Sequence, residues 1–261
     1  SFCGYDLNEL KVKIVKYRQI TLKDKTLYQL AFPCTPFYAE MGGEVGDTGT
    51  LSNDNETIEI INTKKENDLS LHYTEKLPAD LHAEFIAKVN VERRNAIARN
   101  HTATHLLQKA LKNVLGEHIE QKGSFVGPDY LRFDFSHYQK MNEEELLATE
   151  KLVNKYIMEN FIREENREIE IDKAKEMGAM ALFGEKYGNI VRVIKFGNSI
   201  ELCGGIHTPA TGNIGIFKIV SEGAVAAGIR RIEAFTGDNA FNYISEQIST
   251  LNAIKTTLKA Q

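Results

Sequence analysis

The sequence predicts an α+β fold in three stretches: a small β-barrel over residues 1–90, an α+β domain over 91–237 and a C-terminal helix over 238–261. Three observations predict it. Up to Val89 the apolar residues fall in short β-type runs, at Val91 their spacing becomes helical, and beyond Gly123 further strands and helices follow. A chain of 261 residues exceeds the usual size of one compact domain, so two packed units sharing one polypeptide are expected.

The first strands are read at Val12–Val15, Tyr28–Phe32, Thr57–Ile61 and Glu84–Val89. Turn-rich segments separate them, notably Gly42–Gly49 and Asn53–Asn55. Many short strands in under a hundred residues suggest a small barrel. Ile97, His101, His105, Leu106 and Ala110 then recur at helical spacing, with Asn90 as the N-cap and Gly116 as the stop. Leu131–Phe135 alternates as a strand, and Asn142 caps a long helix expected to run to about Glu165. A short helix is expected near Lys173–Ala181, and strands at Ile190–Phe196, Ser199–Leu202, Gly215–Ser221 and Gly228–Ala234. After Gly237 a last helix carries Ile244, Ile248, Leu251 and Leu258 near heptad positions, interrupted by Lys255.

Composition excludes several classes. The 42% apolar and 26% charged fractions are those of an ordinary globular protein, and no stretch approaches a membrane span. Three cysteines, an odd number, do not make a disulfide framework and suit a reducing compartment, so a cytoplasmic location is expected. A net charge of −4 gives no global attraction to phosphate, so any nucleic-acid contact needs a local basic patch. The chain opens on Ser1 with neither a basic n-region nor an apolar h-region, and it reads as a fragment of a longer protein.

The chemistry lies in two compact pairs. His101 and His105 stand at i and i+4 on one helical face, close enough to share a metal ion. Far downstream, Cys203 and His207 bracket a Gly-Gly-Ile segment whose missing Cβ atoms let the backbone bend round an ion. Nitrogen and sulfur donors in this mixture suit Zn²⁺ better than Mg²⁺ or Ca²⁺, which take oxygen ligands. Each residue alone is more often a satisfied polar side chain or a small buried hydrophobe; the joint pattern favours metal. Four protein ligands can saturate a tetrahedral structural zinc, so ligand counting leaves structural and catalytic roles both open. Thr102 occupies the position where His-Glu-x-x-His peptidases carry their base, which argues against that class. The Pro-Cys-x-x-Cys motif that zinc deaminases combine with His-x-Glu is absent.

The segments Arg99–Leu107 and Cys203–His207 together resemble the editing domain of alanyl-tRNA synthetases and the free-standing AlaX deacylases. The resemblance continues through Gly116–Ser124, Leu131–Phe135 and Gly223–Gly237, and Phe37–Gly49 looks like the small barrel that precedes editing in that family. Glu44, Met41 and Ile206 depart from the residues commoner in it, and none is a proposed ligand. The resemblance implies a zinc-dependent deacylase within an ATP-dependent ligase, acting on tRNA(Ala) mischarged with serine or glycine. It implies a homo-oligomeric parent joined through a region beyond the last helix. It also points to Thr104 and Gln121 as pocket residues able to hydrogen-bond a serine hydroxyl, beside the blander readings of a helix back-bond for Thr104 and a solvated Gln121.

No general base emerges from the sequence; Asp134, between Phe133 and Phe135, reads as a strand residue facing solvent. Basic residues on the His-bearing helix, Arg93 and Arg99 among them, together with Arg230 and Arg231 after a Gly turn, make a phosphate-facing patch, against the plainer reading of a solvated face. Two rivals remain open: a free-standing AlaX-type deacylase, and a non-catalytic tRNA-binding module whose zinc fixes the fold. The related threonyl-tRNA editing domain shares the His/Cys pattern, but the upstream Gly-rich motif argues against it.

Overall fold

The computed structural model describes residues 1–180 and 188–258, which form two compact units, 1–97 and 98–261. Helices, antiparallel sheets and a final helix make the chain α+β, as expected.

The first unit holds eight strands: β1 (Glu9–Lys13), β2 (Lys16–Leu22), β3 (Lys25–Ala31), β4 (Gly49–Ser52), β5 (Thr57–Ile60), β6 (Asn62–Glu66), β7 (Leu69–Thr74) and β8 (Glu84–Val89). They pair antiparallel as β1-β8-β4-β5 and β2-β3-β7-β6. Both sheets feed one core, Val12, Leu51, Ile58, Phe85 and Val89 from the first and Leu30 from the second. The backbone N–H of Ile61 donates to Tyr73 O at 2.8 Å, stitching the end of β5 to β7. Among the described residues no strand pairing closes the two sheets into a ring. The alternation that marks β5 and β8 is visible in their burial, every second side chain inward. β2 is exposed along nearly its whole length, which is why no apolar rhythm announced it.

Two features explain the Gly42–Gly49 segment. A Cβ at Gly46 would overlap the Thr63 carbonyl, and one at Gly49 the Lys88 carbonyl, so strands pass where only glycine fits. Between them the buried Asp47 carboxylate accepts the backbone N–H of Tyr38 at 2.7 Å and pairs with Arg94. Arg94 in turn donates to Gly4 O, Asn8 Oδ1 and Pro36 O.

Helix α1 (Val91–Leu115) starts at Asn90, whose Oδ1 accepts the Arg93 N–H at 3.0 Å, and stops at Gly116, where φ is +115°. Its first residues belong to the first unit and its remainder to the second. In the second unit β9 (Gln121–Val126) and β10 (Leu131–Ser136) precede α2 (Glu143–Met158), which opens on an Asn142–Glu145 capping box. The expectation that this helix runs to about Glu165 is corrected. It ends at Met158; Asn160 takes φ +50°, and Glu164–Glu170 is strand β11. Glutamate-rich sequence suits a helix locally, but pairing with β12 (Ile190–Phe196) overrides that preference. The expected short helix near Lys173 is α3 (Ile171–Glu176); Ala181 lies outside the described residues. β13 (Ser199–Leu202), a 3-10 turn at Thr211–Ile214, β14 (Phe217–Ala226), β15 (Ile229–Thr236) and α4 (Gly237–Leu258) complete the chain.

The sheets run β14-β15-β10-β9 and β11-β12-β13. The main core joins Ala103, Leu106, Leu107, Ala110 and Leu111 of α1 to Phe133 and Phe135 of β10, Val153 of α2 and Ile232 of β15. These contacts anchor α1 to the sheet through the face opposite His101 and His105. No helix among the described residues is long and apolar enough to cross a membrane.

Candidate metal centre

The four ligands proposed from sequence converge. His101 and His105, one turn apart on α1, have ring centroids 5.2 Å apart, and the His207 ring sits 4.3 Å from the first and 4.5 Å from the second. Cys203 Sγ lies 3.4 Å from His101 Nε2 and 3.3 Å from His207 Nε2. One ligand atom from each of the four falls within 4.8 Å of all the others, so the cluster could hold a metal ion. The three histidines are buried, and Cys203 is partly so.

Burial holds the His105 imidazole well below its ordinary pKa, with the charge of His101 acting in the same direction. His207 is depressed for the same reasons, burial first and then His101 and His105. Neutral imidazoles are the form a metal requires. Glu201 Oε2 lies 3.3 Å from His105 Nε2, and burial pushes this carboxyl up to about 7 against the pull of His101. With His105 neutral, this contact is not an ion pair.

The loop from Cys203 to His207 follows β13 and is held by its carbonyls. Arg192 donates to Cys203 O at 2.9 Å and Gly205 O at 2.7 Å; Arg163 donates to His207 O at 2.9 Å. Glu165 anchors these cations, accepting Arg192 Nε at 2.7 Å, with Arg163 at 3.6 Å and Arg167 Nε at 2.8 Å. Burial works to raise the Glu165 carboxyl, but hydrogen bonds from Arg167 and Arg192 outweigh it and keep it below the usual range. The Gly205 N–H donates to Cys203 Sγ at 3.4 Å. None of Arg163, Glu165, Arg192 and Glu201 was legible as a site residue, because their contacts with the ligands and with the ligand loop arise from strand pairing and carry no motif of their own.

The other sequence-proposed residues fall into different settings. Thr104 is buried and its hydroxyl donates to Asn100 O at 2.8 Å, the helix back-bond that was its plainer reading. Asn100 is itself locked, donating to Gly127 O and accepting from Thr236. Gln121, half-buried on β9, donates to Ser124 Oγ at 3.4 Å. Asp134 does not face solvent as expected: it is 8% exposed and takes both hydrogen bonds of Arg231, at 2.7 and 2.8 Å, because β15 lies beside β10 and sets the two side chains opposite each other. Arg230 pairs likewise with Glu222 across β14 and β15, at 2.5 and 2.7 Å. Arg93 donates to Gly46 O, and Arg99 has its Nε buried without a hydrogen-bond partner among the described residues.

Comparison with known proteins bears on both units. The family model described as "Threonyl and Alanyl tRNA synthetase second additional domain" matches residues 191–233, the stretch that holds Cys203 and His207. The model described as "tRNA synthetases class II (A)" matches residues 1–94. An alanine–tRNA ligase of Bacteroides thetaiotaomicron is 58% identical over 256 residues, covering 97% of this chain and 29% of that protein. That of Bacteroides fragilis is 57% identical over 259 residues, 99% of this chain and 29% of its own length. That of Cytophaga hutchinsonii is 54% identical over 260 residues, 99% and 30% respectively. The chain therefore spans less than a third of the length of these relatives.

Proposed function

Because this chain belongs to the alanyl-tRNA synthetase family, we propose that its second unit is an editing hydrolase: it cleaves the ester that joins serine or glycine to a mischarged tRNA(Ala), at a zinc ion held by His101, His105, Cys203 and His207. The observation that carries the reading is the convergence of those four donors. Zinc bonds of about 2.0–2.3 Å in a tetrahedron give ligand-to-ligand edges of roughly 3.3–3.6 Å. The two Cys203 edges of 3.4 and 3.3 Å fit that shape. When bound, the ion supplies Lewis-acid polarisation and orientation of the ester.

The chain's own residues supply the rest. The Arg163–Glu165–Arg192 group holds the Cys203–His207 loop by its carbonyls, so its two donors are preorganised. Thr104 and Gln121 are the proposed readers of the substrate. The Thr104 hydroxyl donates its proton to Asn100 O and keeps lone pairs that can accept from a serine hydroxyl, which alanine cannot supply. The need for such a sieve is physical: a synthetic pocket separates near-isosteric small side chains by only about 1–3 kcal/mol. For tRNA phosphates the proposed contacts are Arg93, Arg99, Arg230 and Arg231. Arg230 and Arg231 would have to share their cations with Glu222 and Asp134. The exposed Ile248, Leu251, Ile254 and Leu258 of α4 support an oligomeric parent protein.

The test is hydrolysis of Ser-tRNA(Ala) and Ala-tRNA(Ala) by this chain, by Cys203→Ala and by Gln121→Ala, with zinc content measured in each. Serine is expected to be released faster than alanine, the activity to vanish with the metal in Cys203→Ala, and selectivity to change in Gln121→Ala. Bound zinc and bound tRNA without hydrolysis would instead support a structural-zinc binding module, which a saturated four-ligand set also suits.

A further inference from the structure

Thr102 lies between the two ligand histidines of α1 and is fully buried. In the sequence it counts only as the residue that is not a glutamate. In the fold its Oγ1 is 3.1 Å from His207 Nδ1, accepts the backbone N–H of Thr208 at 3.1 Å, and lies 3.3 Å from Thr208 Oγ1. We infer that Thr102 is a positioning residue: it accepts the Nδ1–H of His207, fixes that ring's tautomer and rotation, and so turns the Nε2 lone pair toward the metal cluster. The inference rests on the four residues being a metal site.

The hydrogen-bond count closes. A threonine hydroxyl has one proton to donate and two lone pairs. The Thr208 N–H, which can only donate, takes one lone pair, and the His207 Nδ1–H takes the other. The Thr208 hydroxyl donates to Thr102 Oγ1 at 3.3 Å, and for Thr102 to accept the His207 proton both hydroxyls rotate, so that Thr102 donates to Thr208 Oγ1 instead. This leaves His207 Nε2 deprotonated, 3.3 Å from Cys203 Sγ and among the other donors. The opposite arrangement, with Thr102 donating to Nδ1, would put the ring proton on Nε2 and block it as a ligand. Metal-ligating histidines generally have their second nitrogen held this way, and loss of the holder weakens metal binding about 10–100-fold. Thr102 reaches His207 because Thr208, the next residue, is tied to the same oxygen, so one side chain fixes both the ring and the backbone that carries it.

The experiment is a zinc titration against a competing chelator for the wild-type chain, Thr102→Val and Thr102→Ser, together with ¹⁵N spectra of the histidine rings in the zinc-loaded wild type. Valine keeps the shape and removes the hydroxyl; it also orphans the Thr208 N–H, so the melting temperature of the metal-free protein is followed in parallel. The expected result is zinc affinity lower by about 10–100-fold in Thr102→Val, recovery to within about threefold in Thr102→Ser, and a His207 ring protonated at Nδ1. A merely structural threonine would lower melting without moving zinc affinity on the folded protein. Equal zinc affinity in Thr102→Val, or a His207 ring protonated at Nε2, overturns the inference while leaving the metal site standing. A wild-type chain that takes up no zinc overturns both.

Discussion

Replacing Asp47 with Asn should loosen the first unit while sparing the second. Asp47 is 2% exposed and Arg94 4%, so neither charge has water to fall back on. The carboxylate accepts Tyr38 N–H at 2.7 Å and Arg94 Nε at 3.1 Å, besides the direct contact with the second guanidinium nitrogen. Removing one partner of a buried pair costs about 3–5 kcal/mol, because the other charge stays behind uncompensated. Three further oxygen acceptors, Gly4 O, Asn8 Oδ1 and Pro36 O, remain around Arg94, which places the expected loss at the lower end, about 3 kcal/mol. Hydrogen exchange followed by mass spectrometry reads this directly. Peptides covering β3 and β8, whose Leu30, Phe85 and Val89 form the core, should exchange roughly a hundredfold faster. Peptides from β10 and β15 should not change. Exchange in β3 and β8 within about threefold of wild type would refute the argument that this pair holds the unit together.

His72 should make the first unit acid-sensitive. It is fully buried, with Nδ1 donating to Leu30 O at 3.0 Å and Nε2 accepting from Thr35 at 2.7 Å, and burial lowers its pKa from 6.5 to about 4. The unfolded chain takes the proton more readily, so the stabilisation is complete above about pH 6.5 and is lost as the pH falls through about 4, in all about 3 kcal/mol. Urea midpoints across that range should fall more steeply for wild type than for His72→Gln, and parallel curves would contradict this. Arg192→Met should remove two charge-assisted hydrogen bonds to the ligand loop, costing the second unit about 3 kcal/mol and weakening zinc uptake about tenfold or more. Unchanged zinc retention against a chelator would show that the loop holds its shape without the clamp.

Much of the candidate site was legible along the chain because its signals are local. Two histidines at helical spacing need only the helix, and α1 forms from Asn90 to Gly116 on caps and rhythm that the sequence displays. Cys203 and His207 are likewise a short-range pair, and the glycines between them announce a bent loop. What failed locally failed for a physical reason. Glu164–Glu170 looks helical and becomes a strand because β12 offers it a partner, and β2 has no apolar rhythm because it lies exposed. The resemblance in Phe37–Gly49 marked a motif whose meaning, a buried Asp47–Arg94 pair between two glycines that strands must pass, is set by residues far apart in sequence.

The sequence by itself determined the fold class, the residue types of the candidate metal cluster and the helix that presents two of them, since each follows from residue chemistry and short-range periodicity. Tertiary structure alone decided that the two pairs meet, that Arg163 and Arg192 on Glu165 grip the ligand loop, that Thr102 faces His207, and that Arg230 and Arg231 are already engaged by carboxylates. The longest of those contacts join residues more than 100 positions apart. They depend on which strands pair and which face each side chain takes, and a linear pattern carries neither.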